Sequence, residues 1–386
     1  MVHSAKQTII VVDDDPDNQM LFAMKLEHYG FEVFEALSGP AALDLLNSVH
    51  PDAILMDRMM PKMDGIEVTK RIRRNEKTKH IPIIMVTAMD SAHHMVQGFE
   101  AGVNDYVSKP IDWDILIFRL RSQLRLFEYQ QQAARSKEKL EHELRVARKV
   151  QQGLLPNAEQ LMSLRDSYGV EVSAMWEPSR YLGGDFWDLL SLADGSLGIL
   201  LTDFAGFGVA PSFHTIRTKT FAHAQCLNLY SPSLTLSRLN THFLDAFEED
   251  EIATASYAIY HPDNRRLVFS SAGGPSPLVY RAKAKGVQAI RNIGYPLGAF
   301  AEASWKETTV DLEVGDLVLF FTDGLLKLES TAGSFVKERQ IAEFLMLCGD
   351  REIDYIKMEL KELIEPYRFV STNPDDLTLV LFRVVE

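Results

Sequence analysis

The sequence predicts an α/β protein made of two domains that a long helix connects. Three observations lead to this prediction. Short apolar runs alternate with amphipathic stretches over residues 1–125, residues 126–152 contain no glycine or proline, and residues 157–386 group several strands before their helices. We therefore expect a doubly wound (βα)5 domain at 1–125, a helical linker at 126–156, and an α+β layered sandwich at 157–386.

Composition limits the classes of partner. The chain has 386 residues, ordinary globular hydrophobic content and a formal charge of −14 at pH 7. That charge opposes nonspecific contact with nucleic acid or an anionic membrane, so neither is expected as a partner. Cys226 and Cys348 lack a paired motif and are expected to be reduced thiols of a cytoplasmic protein. Met1–Gln7 has no apolar signal core, and no run reaches the roughly 18 apolar residues of a membrane span.

The first domain is expected to hold five strands, each followed by a helix. Near-continuous apolar runs of this length suit strands buried on both faces of a parallel sheet. The expected strands are Thr8–Val12, Phe31–Ala36, Ala53–Met56, Ile81–Val86 and Asp105–Val107. The expected helices are Asp17–Tyr29, Pro40–Ser48, Gly65–Arg74, Ser91–Ala101 and Asp112–Arg125. Ligands of such folds bind at the carboxyl ends of the strands.

Polar residues follow four of these strands. Asp13 and Asp14 follow the first, Asp57 the third, Thr87 the fourth and Lys109 the fifth. A lone aspartate at a strand end is usually there for solubility, but this set occurs with specific neighbours. The motifs are Val12-Asp-Asp14, Met56-Asp57 followed by Met60-Pro61 and Asp64-Gly65, Val86-Thr-Ala88 and Ser108-Lys-Pro110. Together they closely resemble the receiver domain of two-component response regulators.

The resemblance implies a phosphorylation site. Asp57 would accept a phosphoryl group from a sensor histidine kinase or a phosphotransfer protein. Crowded carboxylates need a cation to neutralise the developing charge, and Lys109 can pair with the phosphoryl oxygens. By resemblance, Mg²⁺ is held by Asp14, by Asp13 through water, by Asp57 and by the backbone carbonyl of Met59. Thr87 and Tyr106 resemble the switch pair of the family.

The linker carries a short apolar seam. Leu140, Leu144, Ala147 and Leu154 continue a 4,3 spacing if Gln151 takes the remaining position. Two heptads with one polar member are a weak coiled-coil pattern, since three or four are wanted. A single solvated helix and a signalling helix that pairs two protomers in a homodimer both remain open.

The second domain is expected to be rich in strands. Asp263-Asn264 predicts a hairpin turn between two of them. The expected strands are Gly169–Trp176, Phe186–Ser191, Leu197–Asp203, Ala255–Tyr260, Arg266–Ala272, Leu278–Arg281, Thr308–Leu312, Asp316–Thr322 and Leu377–Val384. The expected helices are Val209–Leu227, Ser233–Phe247, Lys337–Cys348 and Asp350–Tyr367.

Four acidic turns stand at the ends of these strands. Asp185 follows Gly183-Gly184, Asp203 ends an apolar run, Asp323 precedes a glycine, and Asp375-Asp376 precede the last strand. Hard divalent cations take oxygen ligands from several segments, and carboxylates gathered without a cation would repel one another. The turns therefore predict one metal site. Asp188 stays unassigned and is expected to be structural.

The motifs of residues 145–386 resemble the SpoIIE/RsbU-type phosphatases of the protein phosphatase 2C (PPM) class. They are, in order, Ala147–Pro156, Arg180–Asp188, Asp203–Gly206, Leu239-Asn240, Ser271–Pro277, Pro296–Gly298, Phe321–Gly324 and Asp375–Thr378. The resemblance implies a sandwich of the protein phosphatase 2C type that binds two Mn²⁺ or Mg²⁺ ions. Such a pair can lower the pKa of a shared water toward roughly 7 and supply hydroxide.

The resemblance also assigns the ligands. Asp203 would bridge the two ions, Asp185 and the carbonyl of Phe204 would complete one site, and Asp323 and Asp375 the other. Asp376 remains an alternative to Asp375. Arg180 is the candidate for gripping the phosphate, because a guanidinium matches two phosphate oxygens; an ordinary surface arginine is the alternative.

The implied function is a response regulator whose phosphorylation controls a metal-dependent Ser/Thr phosphatase. By resemblance, its substrate is a phosphorylated anti-sigma-factor antagonist or a similar phosphoprotein. The chain departs from the family at Phe207 and Gly274, where histidines are usual, which puts the rate in question. The rival interpretation is an adaptor that kept the phosphatase fold, lost catalysis and only binds a partner. A DNA-binding output finds no basic helix to support it.

Overall fold

The computed structural model describes residues 6–88, 92–206, 208–245, 251–331, 333–368 and 375–386. Phe207, one of the two noted departures, lies outside these residues. The chain divides into an N-terminal unit that ends at Leu140 and a C-terminal unit that begins at Glu141. None of the described helices combines the length and apolar character needed to cross a bilayer.

The N-terminal unit is a parallel five-stranded sheet with the strand order β2-β1-β3-β4-β5. The strands are β1 Thr8–Val12, β2 Glu32–Ala36, β3 Ala53–Asp57, β4 Ile83–Thr87 and β5 Asp105–Ser108. The helices are α1 Pro16–His28, α2 Gly39–Leu45, α3 Gly65–Arg74, α4 Ala92–Ala101 and α5, which begins at Trp113. The order confirms the predicted doubly wound fold.

Alternate residues of each strand enter two separate cores. In β1, Ile10 and Val12 pack on one face of the sheet, and Ile9 and Val11 pack on the other. Successive side chains of a strand point to opposite faces, so a strand covered by helices on both sides must be apolar throughout. This is why the strands read as continuous apolar runs that stop where the polar residues begin.

Helix α5 continues past the N-terminal unit. It runs without a break from Trp113 to Gln152 and stops before Gly153, so the linker helix is a continuation of the fifth helix. Leu140, on the predicted seam, is 56% exposed. Gln151 is buried, and Leu154 packs against a core of the C-terminal unit. The last two seam positions are therefore occupied by contacts within the chain.

The C-terminal unit contains two antiparallel five-stranded sheets. The first has the order β13-β10-β9-β8-β7, and the second has the order β12-β11-β14-β15-β6. The first comprises β7 Asp185–Ser191, β8 Leu197–Phe204, β9 Ala253–His261, β10 Arg266–Ala272 and β13 Thr308–Asp311. The second comprises β6 Val170–Glu177, β11 Leu278–Arg281, β12 Gly286–Ala289, β14 Leu317–Phe321 and β15 Leu377–Val384.

The sheets pack face to face, with helices on both outer faces. Ile199 and Leu201 of β8 meet Phe320 of β14 and Phe382 of β15 in the central core. The helices are α6 Ala158–Tyr168, α7 Val209–Gln225, α8 Pro232–Leu244, α9 Gly324–Lys327, α10 Glu338–Cys348 and α11 Ile353–Arg368. The layered sandwich is confirmed, as is the hairpin at Asp263-Asn264, where β9 pairs antiparallel with β10.

Three short elements were absent from the prediction: α6, β12 and α9. The sequence does hold a pattern for α6. Asn157 and Gln160 form a capping box at its start, and Gly169 closes it with a φ of 65°. A capping box followed by a glycine at the far end is typical of a helix, even one too short to develop clear apolar periodicity.

Candidate functional site

The carboxyl edge of the N-terminal sheet gathers Asp13, Asp57 and Lys109. The Lys109 Nζ donates to Asp57 Oδ1 at 2.8 Å and to Asp13 Oδ2 at 3.2 Å. Both aspartate side chains are almost fully buried. Burial raises the pKa of Asp57, and its bond to Lys109 offsets part of that rise. The edge thus holds an acceptor carboxylate next to a cation that can pair with incoming anionic oxygens.

The other predicted residues of this edge have different surroundings. Asp14 is exposed, whereas Asp13 is buried and also accepts from the Asp15 backbone amide and the Asn18 side chain. The backbone N–H of Met59 donates to Asp57 Oδ2 at 3.1 Å. The Met59 backbone therefore lies beside the acceptor, as a ligand carbonyl there requires.

Thr87 and Tyr106 lie on neighbouring strands, near the predicted acceptor. Thr87 ends β4 and is buried. The Tyr106 ring is buried against Phe99, with centroids 5.1 Å apart, and its hydroxyl donates to the Met95 carbonyl. A Cβ added to Gly98 would fall 1.4 Å from the Tyr106 hydroxyl oxygen. The missing side chain at Gly98 is what makes room for the inward ring.

In the C-terminal unit, Asp185 and Asp203 sit opposite each other on paired strands. They are register partners of β7 and β8. Asp185 is 1% exposed, and its Oδ2 accepts from the hydroxyls of Thr322, at 2.7 Å, and Thr378, at 2.6 Å. Its Oδ1 is buried and has no hydrogen-bond partner. Burying a carboxylate oxygen without a partner costs free energy, so this atom is suited to act as a ligand of a cation.

The carboxylates of this unit raise the pKa values of their neighbours. Burial first, and then the charges of Asp323 and Asp375, raise the pKa of Asp203 to about 7. Burial and the charge of Asp203 likewise raise the pKa of Asp185. Phe204, the predicted carbonyl ligand, follows Asp203, and a Cβ on Gly184 would fall 2.6 Å from that carbonyl oxygen. The double glycine lets the two turns approach this closely.

Asp375 and Asp376 have different partners. Asp376 is 3% exposed, and its two oxygens accept the backbone amides of Ser179, at 2.6 Å, and Gly184, at 2.5 Å. Asp375 is partly exposed, and its Oδ2 accepts from Lys327 at 2.6 Å. Asp376 therefore fastens the Gly183-Gly184 turn, and Asp375 is the member of the pair that contacts Lys327. The charges of both carboxylates contribute to the raised pKa of Asp203.

Lys327 lies among the predicted ligands. Its Nζ is 2.9 Å from Asp323 Oδ1 as well as 2.6 Å from Asp375 Oδ2. Burial lowers the pKa of Lys327, but the nearby carboxylates of Asp375 and Asp323 outweigh that effect and raise it. Lys327 is not among the predicted site residues, although it follows Asp323 by four residues on α9.

Gln151 is a second contact that the sequence did not reveal. It is 4% exposed at the end of α5, and its amide nitrogen donates to the Gly183 carbonyl at 2.7 Å. Its amide oxygen accepts the Gly183 N–H at 3.3 Å, and the nitrogen also reaches Thr215 of α7. The end of the long helix is thereby bonded to the turn that presents Asp185.

Two further predicted residues lie around these turns. Arg180 is exposed and lines a cleft of about 510 Å³. The cleft is also lined by Leu144, Arg148, Tyr181, Leu182, Gly208 and Val209. Asp188 is buried and holds α7, since it accepts from Lys219 at 2.9 Å and contacts His223 at 2.7 Å. This agrees with the structural role expected for it.

The donor set fits hard divalent cations in chemistry. Asp185, Asp203, Asp323 and Asp375 supply carboxylate oxygens, and the unpaired Oδ1 of Asp185 and the raised pKa of Asp203 both indicate missing positive charge. Among the residues that the structure describes, no group of three or more acidic, histidine or cysteine side chains has the arrangement needed to hold one ion. The positive charge of Lys327 stands beside two of the four carboxylates instead.

Comparison with protein families gives two matches. Residues 9–121 match the response regulator receiver domain, and residues 193–385 match stage II sporulation protein E (SpoIIE). The second match covers half of the chain. It includes Asp203, Asp323 and Asp375, and it begins after Asp185.

Comparison with individual proteins gives matches that each cover part of this chain. The chain is 39% identical over 130 residues to the DNA-binding dual master transcriptional regulator RpaA of a Synechocystis species, covering 34% of this chain and 54% of RpaA. It is 42% identical over 114 residues to the response regulator PleD of Caulobacter vibrioides, covering 30% of this chain and 25% of PleD. The chain thus spans about half or a quarter of these relatives. The SiaA-PP2C domain of Pseudomonas aeruginosa shares the fold, with a TM-score of 0.57 and 20% identity over 64% of this chain and 98% of that domain.

Proposed function

The chain belongs to the stage II sporulation protein E family and carries a response regulator receiver domain, and from this premise we propose a phosphorylation-controlled protein phosphatase. Phosphorylation of Asp57 controls metal-dependent hydrolysis of phosphoserine or phosphothreonine on a partner protein. The observation that carries the proposal is the carboxylate group around Asp203, with the buried, unpaired oxygen of Asp185.

The residues of the C-terminal unit divide the work of metal binding. Asp203 would hold both of two Mn²⁺ or Mg²⁺ ions, Asp185 and the Phe204 carbonyl would help to hold one of them, and Asp323 and Asp375 would help to hold the other. When bound, such a pair supplies a hydroxide at neutral pH for attack on phosphorus. Thr322 and Thr378 keep the Asp185 carboxylate oriented through its other oxygen.

Substrate binding is assigned to the cleft beside the Gly183-Gly184 turn. Arg180 grips the phosphate of the substrate, since a guanidinium can donate to two phosphate oxygens at once. Arg148 lines the same cleft and adds positive charge to it, while Tyr181 and Val209 supply apolar surface for the substrate chain. The substrate that suits this reading is a phosphorylated anti-sigma-factor antagonist or a similar small phosphoprotein.

In the receiver domain, Asp57 takes a phosphoryl group from a sensor histidine kinase or a phosphotransfer protein. Asp57, Asp14 and the Met59 carbonyl would hold Mg²⁺ directly, and Asp13 would hold it through water. Lys109 pairs with the new phosphoryl oxygens, and Thr87 and Tyr106 respond to them. The state of the receiver is carried by α5, whose last turn is bonded to Gly183 through Gln151.

The test uses the full chain and a phosphoserine peptide. We expect release of phosphate that needs Mn²⁺, that is abolished by Asp203→Ala and Asp323→Asn, and that survives Asp263→Ala, an exposed aspartate of the β9–β10 turn. Wild-type protein that releases no phosphate with Mn²⁺ would contradict the proposal.

The second candidate is the adaptor without catalysis. The contact of Lys327 with Asp323 and Asp375 favours it, because a fixed ammonium could replace an ion there. Under this candidate, the protein binds a phosphoprotein with the same affinity in EDTA and in Mn²⁺. Under the phosphatase proposal, Mn²⁺ leads to loss of the phosphate.

A further inference from the structure

Lys327 joins two acidic turns that come from distant parts of the chain. It ends α9, one helical turn after Asp323, and Asp375 precedes β15. Its ammonium donates to Asp375 Oδ2 at 2.6 Å and lies 2.9 Å from Asp323 Oδ1, a buried oxygen that accepts no hydrogen bond. Its side chain is 54% exposed, so solvent is open to it on one side.

These two carboxylates are the pair that completes the second ion site in the proposed function. An ammonium within hydrogen-bond distance of both would lie a few ångströms from a divalent ion bound to both, and the two like charges would repel. The ammonium also supplies positive charge that the Asp203, Asp323 and Asp375 group otherwise lacks. Contact with this lysine and binding of a second ion are therefore alternatives.

From this geometry we infer that Lys327 is a tethered cation that competes with the second divalent ion for Asp323 and Asp375. The inference rests on the proposed function for the identity of the ion site. The half of the site made by Asp185, Asp203 and the Phe204 carbonyl binds its ion without this competition. The other half takes an ion only when Lys327 turns outward, which its flexible four-carbon stem and its exposure allow.

A purely structural ion pair would behave differently. Pairs between exposed lysines and carboxylates contribute little to stability. If Lys327 only fastened α9 to the start of β15, its removal would lower the melting temperature slightly and leave metal binding as it was. Competition instead predicts a change in metal affinity, and a change confined to one of two ions.

The experiment is a calorimetric titration of the full chain with MnCl₂. Every protein carries Asp57→Ala, so that the receiver ion does not obscure the result. We expect one tight and one weak ion in the parent, and a weak ion that binds at least about tenfold more tightly in Lys327→Gln, because one like charge is gone. Lys327→Arg, which keeps the charge, should retain the weak site.

Lys361→Gln is the matched control, since that lysine is equally exposed and pairs with Glu177 at 3.7 Å. It should bind as the parent does. Two bound ions with the same affinities in Lys327→Gln and in the parent would overturn the inference and leave the proposed function standing. If the parent binds no more Mn²⁺ than Asp203→Ala, the proposed function fails, and the inference about Lys327 fails with it.

Discussion

Replacing Asp376 by alanine should unfold the C-terminal unit at a lower temperature without removing a metal ligand. The Asp376 carboxylate accepts two backbone amides, Ser179 at 2.6 Å and Gly184 at 2.5 Å, and it is 3% exposed. Hydrogen bonds to a charged group contribute about 1.5–3 kcal/mol each, so the variant, which loses two, should lose roughly 3–6 kcal/mol. For a unit of this size that corresponds to a fall of about 10 °C in melting temperature.

Differential scanning calorimetry in EDTA measures this shift, with the receiver transition as an internal reference. Asp375→Ala is the comparison, because that carboxylate is partly exposed, accepts one backbone amide, that of Asp376, at 2.9 Å, and pairs with the exposed Lys327. Its melting temperature should fall clearly less than that of Asp376→Ala, since it loses one bond to a backbone amide rather than two and its exposed pair contributes at most about 1 kcal/mol. In Mn²⁺ titrations Asp375→Ala should be the more strongly affected variant, because it should bind one ion fewer, whereas Asp376→Ala should keep its metal ligands. An unshifted transition in Asp376→Ala, together with a lost ion, would refute the assignment of the two residues.

Three further predictions follow from single contacts. Gln151→Leu should slow Mn²⁺-dependent phosphate release by about tenfold, because it loosens the turn that presents Asp185. Gln152→Leu, which changes the exposed neighbouring residue, should leave the rate unchanged, and equal rates in the two variants would exclude a role for Gln151. Gly98→Ala should drive the Tyr106 ring outward, which ¹⁹F NMR of fluorotyrosine-labelled protein would register as a signal moved to a solvent-exposed shift; an unmoved signal would contradict the packing. The pKa of Asp203 is raised from 3.8 to about 7 in the folded protein, so folding takes up protons between these pH values. The free energy of unfolding of the metal-free protein should therefore fall as pH rises from about 4 to 7, by at most about 1.4 kcal/mol per pH unit, and added Mn²⁺ should remove this slope. A free energy of unfolding that rises with pH in the metal-free protein would contradict the prediction.

The fold was predictable because strand period and strand ends are local properties of the sequence. Continuous apolar runs in the receiver and grouped runs in the second domain gave the sheets, and a carboxylate at the end of a run marked the edge where ligands would bind. Helix α6 was not predicted, because it is a short helix whose pattern lies in its caps at Asn157 and Gly169 rather than in its apolar spacing.

The pairings within the site were not predictable in the same way. Adjacent residues such as Asp375 and Asp376 have the same chemistry in sequence, and only their contacts with the Gly184 amide and with Lys327 separate them. Those contacts join residues as much as 192 positions apart. Gln151 was interpreted as a polar member of a helix seam, yet its amide is bonded to Gly183 within the same chain.

Gly274, where related sequences usually have histidine, lies in a closely packed turn. A Cβ there would meet the Ser256 hydroxyl oxygen at 3.0 Å, and the Gly274 carbonyl accepts from Ser271. A side chain there would require the Ser256 hydroxyl to move by a few tenths of an ångström, so the glycine fits the close packing of this turn. Its effect on the rate stays a prediction for assay.

The homodimer also stays a prediction. Light scattering of the full chain, with Asp57 free and phosphorylated, measures it directly. Because Gln151 and Leu154 already make contacts inside the C-terminal unit, any pairing of helices would have to use the earlier seam positions, Leu140, Leu144 and Ala147. A monomeric mass in both states would exclude the paired signalling helix.

The central claim is that the receiver controls a metal-dependent phosphatase. The most direct measurement is the rate of Mn²⁺-dependent phosphate release from a phosphoserine peptide, before and after treatment of the full chain with a small acyl phosphate, in the wild type and in Asp57→Asn. The account predicts metal-dependent release that changes by at least about fivefold on treatment of the wild type and does not change in Asp57→Asn. Release that needs no metal, or a rate that is the same with and without the acyl phosphate, would contradict it.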